Sequence, residues 1–143
     1  MSKRLILCID SIGLEGDLRQ GLEKLNPSLE LRTVKDGAEC IQEHARYCKA
    51  GTPPLLTVIP ETIERVSGRH VALTLRTVEK KLGVGATAII YLRPADAPTD
   101  EAKQWGRAVS IKETTGDDPR REATRLTKAI GKVLGQLSKK GRS

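Results

Sequence analysis

One acidic residue, Asp10, directly follows the apolar run of residues 5–9 near the start of the chain. In open α/β sheets, ligands bind beyond the carboxyl ends of the strands, so a carboxylate in this place is suited to metal or phosphoryl chemistry. A magnesium site requires two or more hard oxygen ligands that converge with near-octahedral geometry. An active site at Asp10 therefore requires a second carboxylate at a neighbouring strand end.

The other predicted strand ends present apolar and basic side chains. Later apolar runs end at Ile59, Arg93 and Lys112. Glu61 is close to Ile59 in sequence, but it follows a proline and the pattern does not define the direction of its side chain. Asp10 is therefore accompanied by two cations. We interpret this set as a cluster in which Lys112 neutralises Asp10, and we predict neither a metal site nor a cofactor here.

Cys40, His44 and Cys48 are spaced i, i+4 and i+8, so they share one face of a predicted helix. An i, i+4 pair can bind a metal, but three residues spread over about 12 Å of helix cannot all reach one ion. The pattern therefore indicates a half-buried helix face. The strand ends also lack a Ser/His/Asp set, and nothing in the sequence predicts an enzyme.

Strand-like and helix-like apolar patterns alternate along the chain and are separated by Pro and Gly turn signals. The predicted strands cover residues 4–10, 29–34, 53–60, 86–94 and 108–113. The predicted helices cover residues 15–26, 38–51, 67–83, 97–106 and 117–137. In the third helix, Ser67 is the predicted N-cap, and the predicted buried stripe is Val71, Leu75, Val78 and Leu82.

This element order predicts the fold class and the domain organisation. It is typical of an α/β, flavodoxin-like (βα)5 doubly wound sandwich, whose five-stranded parallel sheet has the order 2-1-3-4-5. We predict a single domain over residues 1–137 and a disordered basic tail over residues 138–143. The length of 143 residues suits one domain with a single core.

The formal net charge of +7 is concentrated near the C-terminus, where eight of the nine charged residues after Asp118 are basic. No apolar stretch approaches the roughly 20 residues that span a bilayer, so we predict no membrane segment. The three cysteines form no CxxC pair and suggest no disulfide framework. Reduced cysteines indicate a cytoplasmic protein.

Four phrases of the sequence carry a family resemblance: "ILCID", "VKDGAECI", "VSGRHVALTLRTV" and "AVSIK". Together with the βα order over roughly residues 4–137, they resemble the receiver domain of the two-component response-regulator family. In this resemblance, the family's acidic pair falls on Ile9 and Asp10 and its phosphoacceptor aspartate on Ile59. The family's hydroxyl residue falls on Arg93 and its essential lysine on Lys112.

The departures from the family pattern imply a pseudo-receiver. Half of the acidic pair is missing, and Ile59 cannot accept a phosphoryl group. The arginine side chain at position 93 cannot act as the family's hydroxyl, which bonds a phosphoryl oxygen. The implied function is a non-enzymatic, non-phosphorylatable interaction module in bacterial signal transduction, whose partner is another signalling protein of a phosphorelay. An alternative hypothesis is an atypical receiver that is still phosphorylated on another acid, Asp10 or Glu61.

The family commonly uses the face of its fourth helix, fifth strand and fifth helix for dimers and outputs, which implies a candidate homodimer or partner surface here. The residues on it would be Trp105, Arg107, Arg121, Arg125, Lys128 and Lys132. Burial of Trp105 against the fifth strand is the competing interpretation. The four basic residues from 121 to 132 form one helical stripe, typical of an ordinary solvated face. They also allow a second function, a small basic protein that binds nucleic acid or an acidic partner, although the few aromatics give single-strand binding weak support.

Overall fold

The computed structural model describes residues 4–10, 13, 15–60, 67–93, 105, 108–112 and 119–141, without the side chains of residues 4, 93, 109–112, 119 and 137–141. The strands are β1 (Arg4–Ile9), β2 (Leu29–Val34), β3 (Leu56–Pro60), β4 (Ala88–Arg93) and β5 (Ala108–Lys112). The helices are α1 (Glu15–Leu25), α2 (Gly37–Lys49), α3 (Gly68–Leu82) and α4 (Pro119–Gly141). None of the described helices is long and apolar enough to cross a membrane.

The described strands form one parallel sheet in the order β2-β1-β3-β4-β5. The flavodoxin-like α/β fold predicted from the sequence is confirmed. The predicted helix over residues 97–106 lies outside the described residues except for Trp105, so the predicted count of five helices is not tested. Because all strands are parallel, their carboxyl ends lie along one edge of the sheet.

Two apolar layers cover the two faces of the sheet. Leu18 and Leu22 of α1 join Leu126 and Ile130 of α4 on one face. On the other face, α2 and α3 contribute residues such as Val71 to a second cluster. Strands buried on both faces read as nearly continuous apolar runs, which is why β1, β3 and β4 are so apolar in sequence.

Local capping residues define where the helices begin and end. Ser67 accepts a hydrogen bond from the backbone N–H of His70 at 3.2 Å, so its predicted N-cap role is confirmed. Asp36 caps α2 in the same way through the N–H of Glu39. At the end of α3, Gly83 adopts a left-handed conformation with φ of 71°, a position that favours glycine.

Two sequence predictions about the helices are wrong in detail. The helix α4 continues to Gly141, whereas the sequence predicted a disordered tail from residue 138. Lysines are good helix formers and are favourable near the negative C-terminal end of a helix, which explains the extension. In α3, Leu82 is exposed and Val78 only half-buried, whereas Glu79 is buried.

Candidate functional site

Asp10 lies at the carboxyl end of β1, where its carboxylate binds the backbone of the following turn. Its Oδ1 accepts a hydrogen bond from the N–H of Gly13 at 2.8 Å, and its Oδ2 accepts one from the N–H of Glu15 at 3.1 Å. Glu15 is the first residue of α1, so Asp10 neutralises part of the positive end of that helix. The described geometry gives Asp10 a role in the β1–α1 turn.

Arg93 and Lys112 are brought together by the backbone register, which places them opposite each other at the ends of β4 and β5. Their side chains are outside the described residues, and so is Glu61. The predicted ion pair between Asp10 and Lys112 therefore stays a prediction.

Ile9 and Ile59 lie on neighbouring strands at the same level, because the register pairs Cys8 with Val58 immediately before them. Ile9 is 2% exposed and Ile59 is 0% exposed. Both belong to the apolar cluster beneath α2 and α3 that also contains Leu75. Two of the three positions that the family resemblance assigns to acidic residues are therefore part of the hydrophobic core.

Trp105 is in the interior, and its predicted place on a partner surface is wrong. It is 6% exposed, and its ring meets that of Tyr91 edge-on, with centroids 4.9 Å apart. Its carbonyl oxygen accepts a hydrogen bond from Nε of Arg76 at 2.6 Å. The competing interpretation is correct in that Trp105 is buried, but the ring contact is with Tyr91 of β4, whereas the sequence predicted burial against β5. An edge-to-face aromatic pair and a large apolar area favour the interior.

The basic stripe, defined as Arg121, Arg125, Lys128 and Lys132, lies on the solvent side of α4. All four side chains are exposed. In the part of the chain that the structure describes, none of the four forms a salt bridge with a carboxylate. Arg107 lies outside the described residues, so its predicted place on the partner surface stays a prediction.

A charged cluster that the sequence pattern did not predict joins α2, α3 and the residue before β4. Oε2 of Glu79 lies 3.0 Å from Nε2 of His44 and accepts a hydrogen bond from the hydroxyl of Thr87 at 2.6 Å. Oε1 of Glu79 accepts one from NH1 of Arg76 at 2.7 Å. We call these four residues the Glu79 cluster. The sequence did not indicate that Glu79 is buried, because this residue directly follows Val78 and is not a member of the predicted apolar stripe.

The protonation of the Glu79 cluster follows from this geometry. Burial by itself raises the pKa of Glu79, but hydrogen bonds from His44, Thr87 and Arg76 outweigh it and lower the pKa to about 2. An ionised carboxylate only accepts hydrogen bonds, so Nε2 of His44 carries the proton that it shares with Glu79. Nδ1 of His44 has no hydrogen-bond partner among the described residues.

The shared face of α2 is buried, as its spacing predicted: Cys40, His44 and Cys48 all point into the interior. Among the described residues, no group of three His, Cys, Asp or Glu side chains could hold a metal ion. The burial of all three side chains is what confirms the interpretation of the Cys40, His44 and Cys48 pattern as a helix face that packs on the core.

We expect the cysteines to resist alkylation in the folded protein. Burial raises the pKa of Cys40 to about 12 and also raises that of Cys8, and the thiolate is the reactive form. Mass spectrometry after iodoacetamide treatment at neutral pH should show no label on Cys8 or Cys40 until denaturant is added. Rapid labelling of either thiol in the native protein would contradict the buried placement.

The geometry defines the chain as a flavodoxin-like α/β protein in which isoleucines occupy two strand-end positions where chemistry is often located. Receiver domains are similar to it in structure. The receiver domain of the histidine kinase CKI1 from Arabidopsis thaliana, solved with Mg²⁺ and BeF₃⁻, has a TM-score of 0.67 at 19% identity, covering 93% of this chain and 90% of that one. CheY4 of Vibrio cholerae has a TM-score of 0.63 at 16% identity, covering 92% and 99%.

The receiver domain of Ssk1 from Saccharomyces cerevisiae was solved in complex with the histidine phosphotransfer protein Ypd1. It has a TM-score of 0.62 at 18% identity, covering 80% of this chain and 81% of that one. No protein-family model and no curated protein sequence matches the chain. The chain has the receiver-domain fold, and the resemblance seen in its sequence is confirmed at the level of the fold.

Proposed function

We propose that this protein is a non-phosphorylatable, receiver-like interaction module in bacterial signal transduction. The observation that carries the proposal is the complete burial of Ile59 at the end of β3. An isoleucine side chain has no oxygen that can attack a phosphoryl group, and phosphoryl transfer to a protein side chain requires such a nucleophile. A buried Ile9 supplies no metal ligand beside it, and the carboxylate of Asp10 already binds two backbone amides.

The proposed module is not an enzyme, takes no cofactor and acts in the cytoplasm. Its full architecture would be (βα)5, with a fifth helix within residues 97–106. Arg76 of α3 donates one hydrogen bond to the Trp105 carbonyl and another to Glu79, so it links Trp105, which precedes β5, to the Glu79 cluster. This link supports a surface that does not switch. A partner would therefore meet a constant surface in this part of the fold.

The partner in this proposal is another signalling protein. The complex of the Ssk1 receiver with Ypd1 supports a protein partner for a domain of this fold. A homodimer through β5, α4 and the predicted helix before β5 is an alternative arrangement, and the burial of Trp105 removes one anchor that the sequence suggested for it.

Amide NMR spectra test the proposal. We expect addition of Mg²⁺ and beryllofluoride, the pair found in the CKI1 structure, to leave the spectrum unchanged, because the acceptor position carries no oxygen. The CKI1 receiver domain, treated in the same way, serves as the positive control. Saturable shifts of amides near the ends of β1 and β3 would instead support an atypical receiver that uses Asp10 or Glu61.

The exposed basic stripe favours a second candidate, a small basic protein that binds nucleic acid or an acidic partner through α4. Cations that track phosphates give affinities that fall steeply with salt. Titration of duplex DNA at two salt concentrations tests the nucleic-acid form of this function. Deleting α4 is not a useful variant, because Leu126 and Ile130 are core residues.

A further inference from the structure

A groove of about 770 Å³ runs between α1 and α4, on the sheet face opposite α2 and α3. Leu25 and Lys24 belong to its α1 wall, and Thr127 and Lys128 belong to its α4 wall. Lys128 is also a member of the basic stripe, so the groove and the stripe form one continuous surface.

The floor of the groove is closed by a tight helix contact. A Cβ atom on Gly21 would lie 2.5 Å from Oγ1 of Thr127, so a larger residue at position 21 would force the Thr127 side chain or the helices to shift. Leu25 packs over Gly131, whose Cβ would lie 3.2 Å from the leucine side chain, yet Leu25 remains 45% exposed. The groove therefore offers an apolar contact point beside a well-packed helix pair.

The charges around the groove are mostly positive. Lys24 stands on one wall and Arg120 and Lys128 on the other, whereas Asp17 is the single acid among the lining residues that the structure describes. The basic stripe continues the positive potential along α4. A mainly acidic ligand that also carries apolar side chains is complementary to this surface.

Two observations favour a protein segment over a nucleic acid. The three aromatic residues of the chain are all on the other side of the sheet, because Tyr91 and Trp105 are in the cluster beneath α2 and α3 and Tyr47 lies on α2. The face with the groove therefore has no ring on which a base could stack. Asp17 and exposed Leu25 also suit a ligand with mixed side chains better than a uniform phosphate backbone.

We propose that the groove between α1 and α4, together with the basic stripe, binds an acidic amphipathic segment of a partner protein. The apolar side of the segment lies against Leu25, and its carboxylates face Lys24 and Lys128. This inference rests on the proposed interaction function and specifies where the partner docks. An amphipathic helix in a groove is a common mode of recognition between proteins.

Fluorescence anisotropy with a labelled helical peptide of Leu and Glu tests this inference on the full chain. We expect saturable binding that weakens about tenfold in the double variant Lys24→Glu/Lys128→Glu, because two attractive contacts become repulsive. Leu25→Ser should also weaken binding. The matched control Lys49→Glu changes an exposed lysine on α2, on the opposite face, and should leave the affinity unchanged.

The outcomes separate this inference from the proposed function. No binding, or equal weakening by Lys49→Glu, would overturn the groove as a docking site. Tighter binding of duplex or single-stranded DNA that depends on the same two lysines would overturn the choice of a protein ligand. None of these results depends on phosphorylation, which the spectra with Mg²⁺ and beryllofluoride report separately.

Discussion

Replacing Ile59 with aspartate is expected to destabilise the protein strongly, by about 3 kcal/mol or more, although it recreates the acidic residue that the family resemblance places there. The side chain at this position is completely buried in the apolar cluster that contains Val71 and Leu75. A carboxylate there must either lose its hydration or take up a proton, and both cost free energy of folding.

Urea unfolding followed by circular dichroism measures this effect, and Ile59→Val is the matched control. The valine variant removes one methylene group and should cost about 0.5–1.5 kcal/mol. An aspartate variant as stable as the valine variant would show that position 59 reaches solvent. That result would reopen the possibility that this edge of the sheet can hold a phosphorylation site.

Replacing Glu79 with glutamine is expected to cost about 3–5 kcal/mol, because it removes the charge of a buried carboxylate and leaves the partly buried guanidinium of Arg76 without its counter-charge. The glutamine amide also presents N–H donors where Arg76, His44 and Thr87 now donate to a carboxylate. The control is Glu15→Gln, which breaks a half-exposed pair with Arg19 and should cost less than about 1 kcal/mol.

The destabilisation caused by Glu79→Gln should depend on pH in a defined direction. The pKa of Glu79 in the folded protein is about 2, below the ordinary value of 4.5. A lowered folded pKa adds stability that is complete above the ordinary pKa and is lost as the pH falls towards the folded pKa. The difference in unfolding free energy between wild type and Glu79→Gln should therefore shrink between about pH 4.5 and pH 2. A constant difference across that range would contradict the ionised cluster.

The sequence predicted the fold well because its signals are local and repeated. Apolar strands such as residues 5–9, the Ser67 cap and the regular alternation of strands and helices all point to the same architecture. The sequence also indicated which strand ends lack acids, since residue identity alone shows that Ile9 and Ile59 carry no oxygen.

The placement of individual side chains could not be predicted in the same way. Trp105 has an amphipathic ring that suits either an interface or a core, and only its contact with Tyr91 distinguishes the two. Glu79 is a polar residue in a helix, and its burial depends on His44, which is 35 positions away in sequence. Such contacts depend on tertiary structure, which periodicity does not encode.

The role of Asp10 illustrates the same limit. Its position at a strand end suggested half of a metal site or a counter-ion to Lys112. The structure shows that its carboxylate accepts hydrogen bonds from the amides of Gly13 and Glu15. A strand-end aspartate can therefore stabilise the turn that follows it.

The proposed function requires that this receiver fold carries no phosphoacceptor, and intact-protein mass spectrometry after incubation with acetyl phosphate and Mg²⁺ tests this claim most directly. We expect the mass of the wild-type protein to remain unchanged over a time course in which the cyanobacterial response regulator RcpA, whose structure was solved in the phosphorylated form, is treated in parallel as the positive control. A stable phosphoryl adduct on this chain, mapped by peptide analysis to Asp10 or Glu61 and abolished by the corresponding amide variant, would contradict the claim.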